Sequence, residues 1–420
     1  MKVTLVNTFQ FSGGAAVACY RLMQALNKNQ VDASLLVQQQ SFEDASVESI
    51  GDSFPGKQKA WLRFSADRFY FMLHEKNKGV RFAFSPANIG TDISQHPFIQ
   101  QADIIHLHWI NFGFLSLDSL QQLIDLGKPI VWTMHDMWAF TGGCHYSGEC
   151  KRYLSHCHSC PFLRNPHPKD LSYRVFENKF ALLANASISF VACSQWLAGL
   201  AKDSRLLKEF PIISIPNPID TSTYTPANKT VVRKALSLPT NKKLILFGAF
   251  KITDPRKGFI YLLQALHLLQ EKYPETSEEL GLLVFGKTDQ ALMEELPFPV
   301  FSLGTITETS KLVQVYNAAS VFVLPSLEDN LPNTVMESLS CGTPVVAFDT
   351  GGLPEMISHL STGYLSEYKS AESLAEGIYE VLFKQDYTTL SRSARQKVLD
   401  TYSESAVAEK YKALYKNLLG

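Results

Sequence analysis

Short apolar runs alternate along the chain with longer segments whose apolar residues recur every third or fourth position. Runs at 2–6, 33–37, 103–107, 129–133, 188–192 and 212–215 read as buried strands, because each is short, rich in Val, Ile and Leu, and bounded by turn residues. The same alternation restarts at 244–247, 282–285, 300–303, 321–324 and 345–348. Between the runs lie amphipathic helices: one after the glycine turn at 11–16, with Val17, Leu22 and Leu26 on one face, then others at 56–74, 171–184, 258–271, 371–383 and 387–419. Strand–helix alternation of this kind specifies an α/β protein with parallel sheets. The chain breaks at Pro216-Asn217-Pro218-Ile219-Asp220 and stays polar to 241. This predicts two Rossmann-like halves: residues 1–225, then 226–400, then a closing helix at 401–420 that crosses back to the first half.

Composition narrows the class. The chain has 420 residues, enough for two domains with sizeable cores. A hydrophobic content of 45% and a charged content of 19% are those of an ordinary globular protein. A net charge of −1 gives no basic footprint for nucleic acid. No apolar run approaches a membrane span, and the first residues read as a strand with no signal-peptide pattern. The expectation is a cytoplasmic protein.

Candidate chemistry concentrates at 320–355. Val321 to Leu324 ends at Pro325, an acidic loop runs from Glu328 to Asn333, and Thr334 opens a helix with Val335, Met336 and Leu339 apolar. After the next strand, Gly351-Gly352-Leu353-Pro354-Glu355 leads into another helix. Two strand–loop–helix units would each present backbone N–H groups at a helix mouth, which favours a phosphate. Carboxylates among those donors suit sugar hydroxyls, so the stretch reads as a sugar-nucleotide pocket. In the same half, Gly248 follows a strand, and Lys251, Arg256, Lys257 and Gly258 form a cationic loop that could screen a diphosphate leaving group. Glu337 has a second reading: Thr334-Val-Met-Glu337 is also a capping-box pattern, in which the carboxylate would bond back to the helix start.

The first half contributes His106-Leu107-His108 and Met134-His135-Asp136 at strand ends, where ligands of open α/β sheets bind. Cys144, Cys150, Cys157 and Cys160 cluster with three histidines between them. Their Cys-x-x-Cys spacing admits a structural zinc, with disulfides or reduced thiols as the other main reading and a catalytic metal as a third. The helix at 56–74 mixes Trp61, Phe64, Phe69, Tyr70 and Phe71 with Lys57, Lys59, Arg63 and Arg68. It reads either as a helix packed on the sheet with its charges solvated, or as a peripheral contact with an anionic membrane.

With these motifs together, the chain resembles the retaining glycosyltransferases of family four (glycosyl transferases group 1), of bacterial polysaccharide-biosynthesis type. The resemblance is carried by PSLEDNLPNTVMESLSCGTPVVAFDTGGLPE, the Gly13-Gly14 loop, the strand ending at His135, and the PNPID turn. It implies a GT-B fold, two Rossmann-like domains facing across a cleft, with the acceptor bound by the first and the nucleotide sugar by the second. It places the family's paired acids on Asp329 and Glu337, the latter binding ribose hydroxyls. Asp329 departs from the family's glutamate, and Glu328 is its one-residue neighbour. The diphosphate-binding pair falls on Lys251, a departure from arginine, and Lys257. His135 would contact the donor sugar, Gly13 and Gly14 would lie near phosphate and acceptor, and Asn333 and Thr334 would offer backbone groups.

The implied reaction moves a hexose from a nucleoside-diphosphate sugar, of UDP or GDP type, to a glycan or polyprenyl-linked acceptor in surface polysaccharide assembly. Configuration would be retained, and with no D-x-D motif no metal or other cofactor would be required for catalysis. The protein would be cytoplasmic, with peripheral contact at the inner membrane face. The competing readings are a sugar-nucleotide-binding pseudo-transferase and another enzyme of the same fold, such as a sugar-nucleotide epimerase.

Overall fold

The computed structural model describes the chain except Asn185, Ile252, Thr253, Thr288 and Asp289, and except the side chains of Ala249, Phe250, Lys251 and Gln290. It divides into two units, Met1–Pro218 with Val407–Gly420, and Ile219–Ala406.

The first unit is built on β1 (Lys2–Phe9), β2 (Asp32–Gln39), β3 (Val47–Ser49), β4 (Ile104–Leu107), β5 (Ile130–Met134), β6 (Ile188–Ala192) and β7 (Ile212–Ser214). They form one sheet in the order β3-β2-β1-β4-β5-β6-β7, with every pairing parallel. The order reverses direction between β1 and β4, which is where open α/β sheets leave a crevice beyond their carboxyl ends. Val3 and Leu5 point to one side of β1 and pack with Cys19, Leu22 and Leu26 of helix α1 (Gly14–Lys28). Val6 packs with Ile105, Leu107 and Ile130 in the core on the other side. Residues alternate faces along a strand, so a sheet covered on both sides gives continuous apolar runs.

The second unit repeats the plan with β8 (Lys243–Lys251), β9 (Leu280–Lys287), β10 (Val300–Ser302), β11 (Val321–Leu324), β12 (Val345–Phe348) and β13 (Gly363–Ser366). Their order is β10-β9-β8-β11-β12-β13, again all parallel. The reversal lies between β8 and β11.

Three expectations are corrected. The helix expected at 56–74, here α2 (Phe54–Met72), follows the reading of a packed helix with solvated charges only in part: Phe71 is buried and Lys57 and Lys59 are exposed, but its other large side chains and its central charges depart from it. Phe54, Trp61, Leu62 and Phe69 are exposed, at 76, 66, 58 and 59%, while Asp67 and Arg68 are buried. The reason is an internal ion pair. Arg68 Nη2 lies 2.5 Å from Asp67 Oδ2, its Nη1 donates to the carbonyls of Arg81 and Phe84, and its guanidinium sits 4.4 Å from the Phe112 ring centroid. Second, 387–419 is two helices, not one: α7 (Tyr387–Thr401) and α8 (Glu404–Leu419). The break falls where Ile219 N–H bonds to Tyr402 C=O at 2.8 Å and pairs with Ser403, taking the backbone out of the helix. Third, the helix after Gly352, α6 (Leu353–Met356), is a single turn, too short to build a dipole.

The closing helix α8 packs on the first unit. Tyr411 and Tyr415 are fully enclosed, and their hydroxyls reach Thr133 Oγ1 at 2.9 Å and His106 Nδ1 at 2.7 Å.

Candidate functional site

In the second unit three loops leave the carboxyl ends of β8, β11 and β12 and are tied together. The basic loop after β8 turns into α3 (Phe259–Lys272) at Gly258, whose φ of 68° and close approach to the Pro325 carbonyl leave no room for a side chain: a Cβ would lie 1.9 Å from that oxygen. Leu327 N–H bonds to Arg256 C=O at 2.8 Å, joining the basic loop to the acidic one. Gly352 N–H bonds to Asp329 C=O at 3.0 Å, joining the acidic loop to the third. Gly248 lies against the Phe285 ring, where a Cβ would come within 2.0 Å of ring carbon.

These ties bring Lys257 and Asp329 together, with Nζ 2.7 Å from Oδ2 and the side chains 21 and 11% exposed. Burial alone would raise the Asp329 carboxyl, but the charges of Lys257 and then Arg256 outweigh it and hold the group below its ordinary value. Arg256 also donates from Nη1 to the Glu328 carbonyl at 3.3 Å. Glu328 itself is half-buried. The Lys251 backbone ends β8, but its side chain lies outside the described residues.

Asn333 and Thr334 begin the helix that carries the second acid. With α4 as Thr309–Ala318, this helix is α5 (Asn333–Ser340). Its N-cap is Pro332, so Thr334 lies inside the first turn and not at the cap, and the capping-box reading of Glu337, which needs Thr334 as N-cap, fails. Glu337 is 5% exposed, and its Oε2 accepts from the Tyr316 hydroxyl of α4 at 2.9 Å. Burial and then the Glu337 charge push the Tyr316 phenol well above its usual range, so it stays a donor. Tyr316 was not singled out by the sequence, because a tyrosine on a buried helix face has no signature until its partner arrives.

In the first unit Gly13 has a φ of 92° and caps α1, with Gly14 as the first helical residue; both are exposed. At the ends of β4 and β5 a chain of hydrogen bonds runs inward. His108 Nδ1 meets His135 Nε2 at 2.9 Å, His135 Nδ1 meets Cys193 Sγ at 3.5 Å, and Cys193 Sγ donates to Asn217 Oδ1 at 3.1 Å. Burial pulls His135 down to about 4 and His108 well below the usual range, so both rings are neutral near pH 7. One proton per ring then fixes the direction. The thiol spends its proton on Asn217, so His135 Nδ1–H donates to sulfur and its Nε2 accepts from His108 Nδ1–H. His108 Nε2 is left as a bare acceptor, which agrees with its being buried without a partner. Asn217 belongs to the PNPID turn, so that turn sets the tautomer of His135 through one cysteine. Beside them Asp136 accepts from His145 Nδ1 at 2.7 Å, Trp109 Nε1 at 3.0 Å and Trp138 N–H at 2.8 Å.

Cys144, Cys150, Cys157 and Cys160 are all free thiols lining one small cavity of about 20 Å³ with Phe84 and His158. Gly142 N–H donates to Cys157 Sγ at 3.1 Å. His145 and His156 are engaged elsewhere, with Asp136 and with Glu177 at 2.6 Å. Among the described residues no group of three or more His, Cys, Asp or Glu side chains is set to hold a metal ion. The chemistry of four thiols suits zinc; the geometry does not close a ligand set.

Among the described residues no helix is long and apolar enough to cross a membrane.

Compared with known proteins, residues 12–223 match the family described as Glycosyltransferase Family 4, and residues 241–384 match the description Glycosyl transferases group 1. Among curated relatives, the chain is 22% identical over 343 residues to the putative colanic acid biosynthesis glycosyl transferase WcaC of Escherichia coli K12, covering 77% of each protein. Among solved structures, sucrose-phosphate synthase from Thermosynechococcus elongatus superposes with a TM-score of 0.68 at 18% identity, over 99% of this chain and 98% of that one. Anabaena HepE, solved with UDP-glucose, superposes with a TM-score of 0.63 at 16% identity, over 99% of this chain and 100% of that one. The likeness to these structures is one of fold, the GT-B arrangement of two parallel-sheet domains.

Two outcomes test this geometry. His106, pulled down to about 3 by burial and then the neighbouring His135, and His135, at about 4, refuse protons that the unfolded chain accepts near 6.5. Their lowered values make stability full above that point and lost as pH falls toward them. The urea midpoint should therefore be flat above about pH 7.5 and drop as pH falls from about 6.5 toward 4; a midpoint unchanged on acidification contradicts the neutral-histidine network. For the cysteine loop, the zinc reading expects about one zinc per chain in protein purified under reducing conditions, and it fails below ~0.2 per chain.

Proposed function

The chain belongs to glycosyltransferase family 4, and from that premise we propose that it moves a hexose from a nucleoside-diphosphate sugar to a glycan or polyprenyl-linked acceptor in surface polysaccharide biosynthesis, with retention of configuration and without a metal. The observation that carries this reading is the cation pair of Lys257, held by Asp329, and Arg256, held by the Glu328 carbonyl, in the unit whose helix α5 bears Glu337. The naming of the WcaC relative as a colanic acid biosynthesis glycosyl transferase supports surface polysaccharide as the product class. The UDP-glucose bound by HepE supports a nucleotide-sugar donor, with UDP the first base to try and GDP the second.

In this reading Lys257, with Arg256 and Lys251, meets the diphosphate. Glu337 takes the ribose hydroxyls, held in position by Tyr316. Backbone groups at Asn333 and Thr334 face phosphate or sugar, and Gly13 and Gly14 leave the backbone approachable. His135 offers a neutral ring to the donor sugar. The bond between the sugar C1 and the diphosphate oxygen breaks, and the pair of electrons leaves with the nucleoside diphosphate. The acceptor hydroxyl attacks C1 from the same face, and its proton passes to the departing phosphate oxygen. Fixed cations lower the barrier because negative charge grows on that oxygen in the transition state.

The exposed apolar residues of α2 support peripheral attachment. Leu62 and Phe69, with Leu73 at the helix's C-cap, repeat at spacings that share one helix face and are 58, 59 and 56% exposed. Lys57 and Lys59 near the start of α2 suit an anionic headgroup.

Two measurements test these proposals. With UDP-glucose and GDP-mannose as first donors and an acceptor panel, Lys257→Ala should lower kcat by roughly 10²–10³-fold, while Glu337→Ala should raise the donor KM. The product should keep the donor's anomeric configuration by NMR, and EDTA should leave the rate unchanged. Donor binding with neither hydrolysis nor transfer would favour the pseudo-transferase reading, and an inverted product would overturn the mechanism. On membranes, the protein should co-float with vesicles containing phosphatidylglycerol and stay behind with neutral ones; the double variant Leu62→Ser and Phe69→Ser should lose flotation, and unchanged flotation contradicts attachment through α2.

A further inference from the structure

A cavity of about 560 Å³ opens in the first unit beyond the carboxyl ends of β1 and β2, walled by the start of α2. Its lining includes Phe9, Gln38, Gln40, Asp52, Trp61 and Phe64. The volume is that of a small-molecule site. None of these residues belongs to the histidine chain or to the loops of the second unit. Gly51 has the close contact that shapes the floor: a Cβ there would lie 2.3 Å from the Gln38 carbonyl, so the backbone of the wall lies directly on β2.

The lining selects a chemical class. Three aromatic faces supply flat apolar surface, and Phe9 is held by stacking on Trp109 at 6.3 Å and 24°. Between them stand amides and one carboxylate. A pyranose has that same division, apolar C–H faces ringed by hydroxyls, and its hydroxyls both donate and accept. The charges oppose each other: Lys57 and Asp52 line the same cavity, so it holds no net positive charge to draw an anion. One atom decides between a hydroxyl and a phosphate. Gln38 is 4% exposed, and its Oε1 is buried with no hydrogen-bond partner. A buried acceptor left unpaired is costly, and only a donor relieves it. A hydroxyl can donate to it, whereas a phosphate dianion cannot.

We propose that this cavity binds a neutral sugar ring of the acceptor, with the ring face on Trp61 and Phe64 and one hydroxyl donating to Gln38 Oε1. The proposal rests on the transferase reading for calling the ligand an acceptor, but the sugar site itself does not need it. It assigns recognition of the acceptor glycan to the end of α2.

The test uses the full chain and simple probes without donor: methyl glycosides of glucose, galactose, mannose and fucose, and their disaccharides, read by saturation-transfer NMR and tryptophan fluorescence. At least one glycoside should bind the wild type. Trp61→Ala, at an exposed position that folding does not depend on, and Gln38→Leu, close in volume, should each weaken that binding by roughly tenfold, the worth of about one hydrogen bond or one stacked face. Inorganic phosphate should not compete. The proposal is overturned if no glycoside binds, if both variants bind as the wild type does, or if phosphate displaces the sugar. Binding of UDP-glucose and GDP-mannose to the wild type is followed in parallel. Glycoside binding without any donor binding would sink the transferase reading and leave the sugar site; donor binding without glycoside binding would do the reverse.

Discussion

The second unit's loops depend on one enclosed pairing, Lys257 with Asp329. Each charge is mostly shut away from water, and each is tolerable only because the other is there. Removing one partner from such a pair costs about 3–5 kcal/mol, since it strands a charge where water cannot reach it. The backbone follows from that requirement. The lysine comes from the loop after β8 and the aspartate from the loop after β11, and these strands are neighbours only because the sheet order reverses between them. For the side chains to meet, the loops must run in contact, and glycines stand where they touch. Gly258 lies on the Pro325 carbonyl and Gly351, with a φ of 60°, lies on that of Asp329. Charge, strand order and glycine placement are one constraint seen three ways.

The first unit solves a different problem at the equivalent place. Its strand ends carry His106, His108 and His135, and enclosing three imidazoles is affordable only if all are uncharged. Each ring then has one proton to place. Thr133, Tyr411 and Tyr415 serve His106, while Cys193 and Asn217 serve His135. Two of these tyrosines come from α8, at the far end of the chain. A segment that looks like a C-terminal appendage thus completes the hydrogen bonding of a site near residue 106.

What was legible in the sequence is what local chemistry determines. Among the described residues, eleven of thirteen strands show as apolar runs, most of them because both faces are covered. The two missed, β3 and β13, are edge strands whose short segments mix polar and apolar residues. The pairing of a cationic loop with an acidic one could be read from strand order. The orientation of α2 could not, since nothing local says that Asp67 and Arg68 turn inward together while Trp61 and Phe69 face out. Nor could the break before Ser403, which is made by the distant Ile219. Glu337 shows the limit most plainly: Thr-x-x-Glu fits a capping box, but the helix starts before Thr334, and the carboxylate accepts instead from Tyr316, twenty-one residues upstream.

The Lys257–Asp329 pair also bears on how a diphosphate would be received in the proposed reaction. Without donor, the lysine's charge is balanced by a carboxylate 2.7 Å away, so the cation is held in place and needs no rearrangement later. An incoming diphosphate must compete with that carboxylate for the same ammonium, which weakens ground-state binding. When the bond to the sugar stretches, charge on the bridging oxygen rises while that on Asp329 stays constant, so the competition shifts toward the leaving group. A fixed acid beside a fixed base therefore costs more against the bound donor than against the transition state, and interactions that differ in that way are the ones that raise a rate. An aspartate in place of the longer glutamate fits this role, because its short side chain keeps the carboxylate on the lysine.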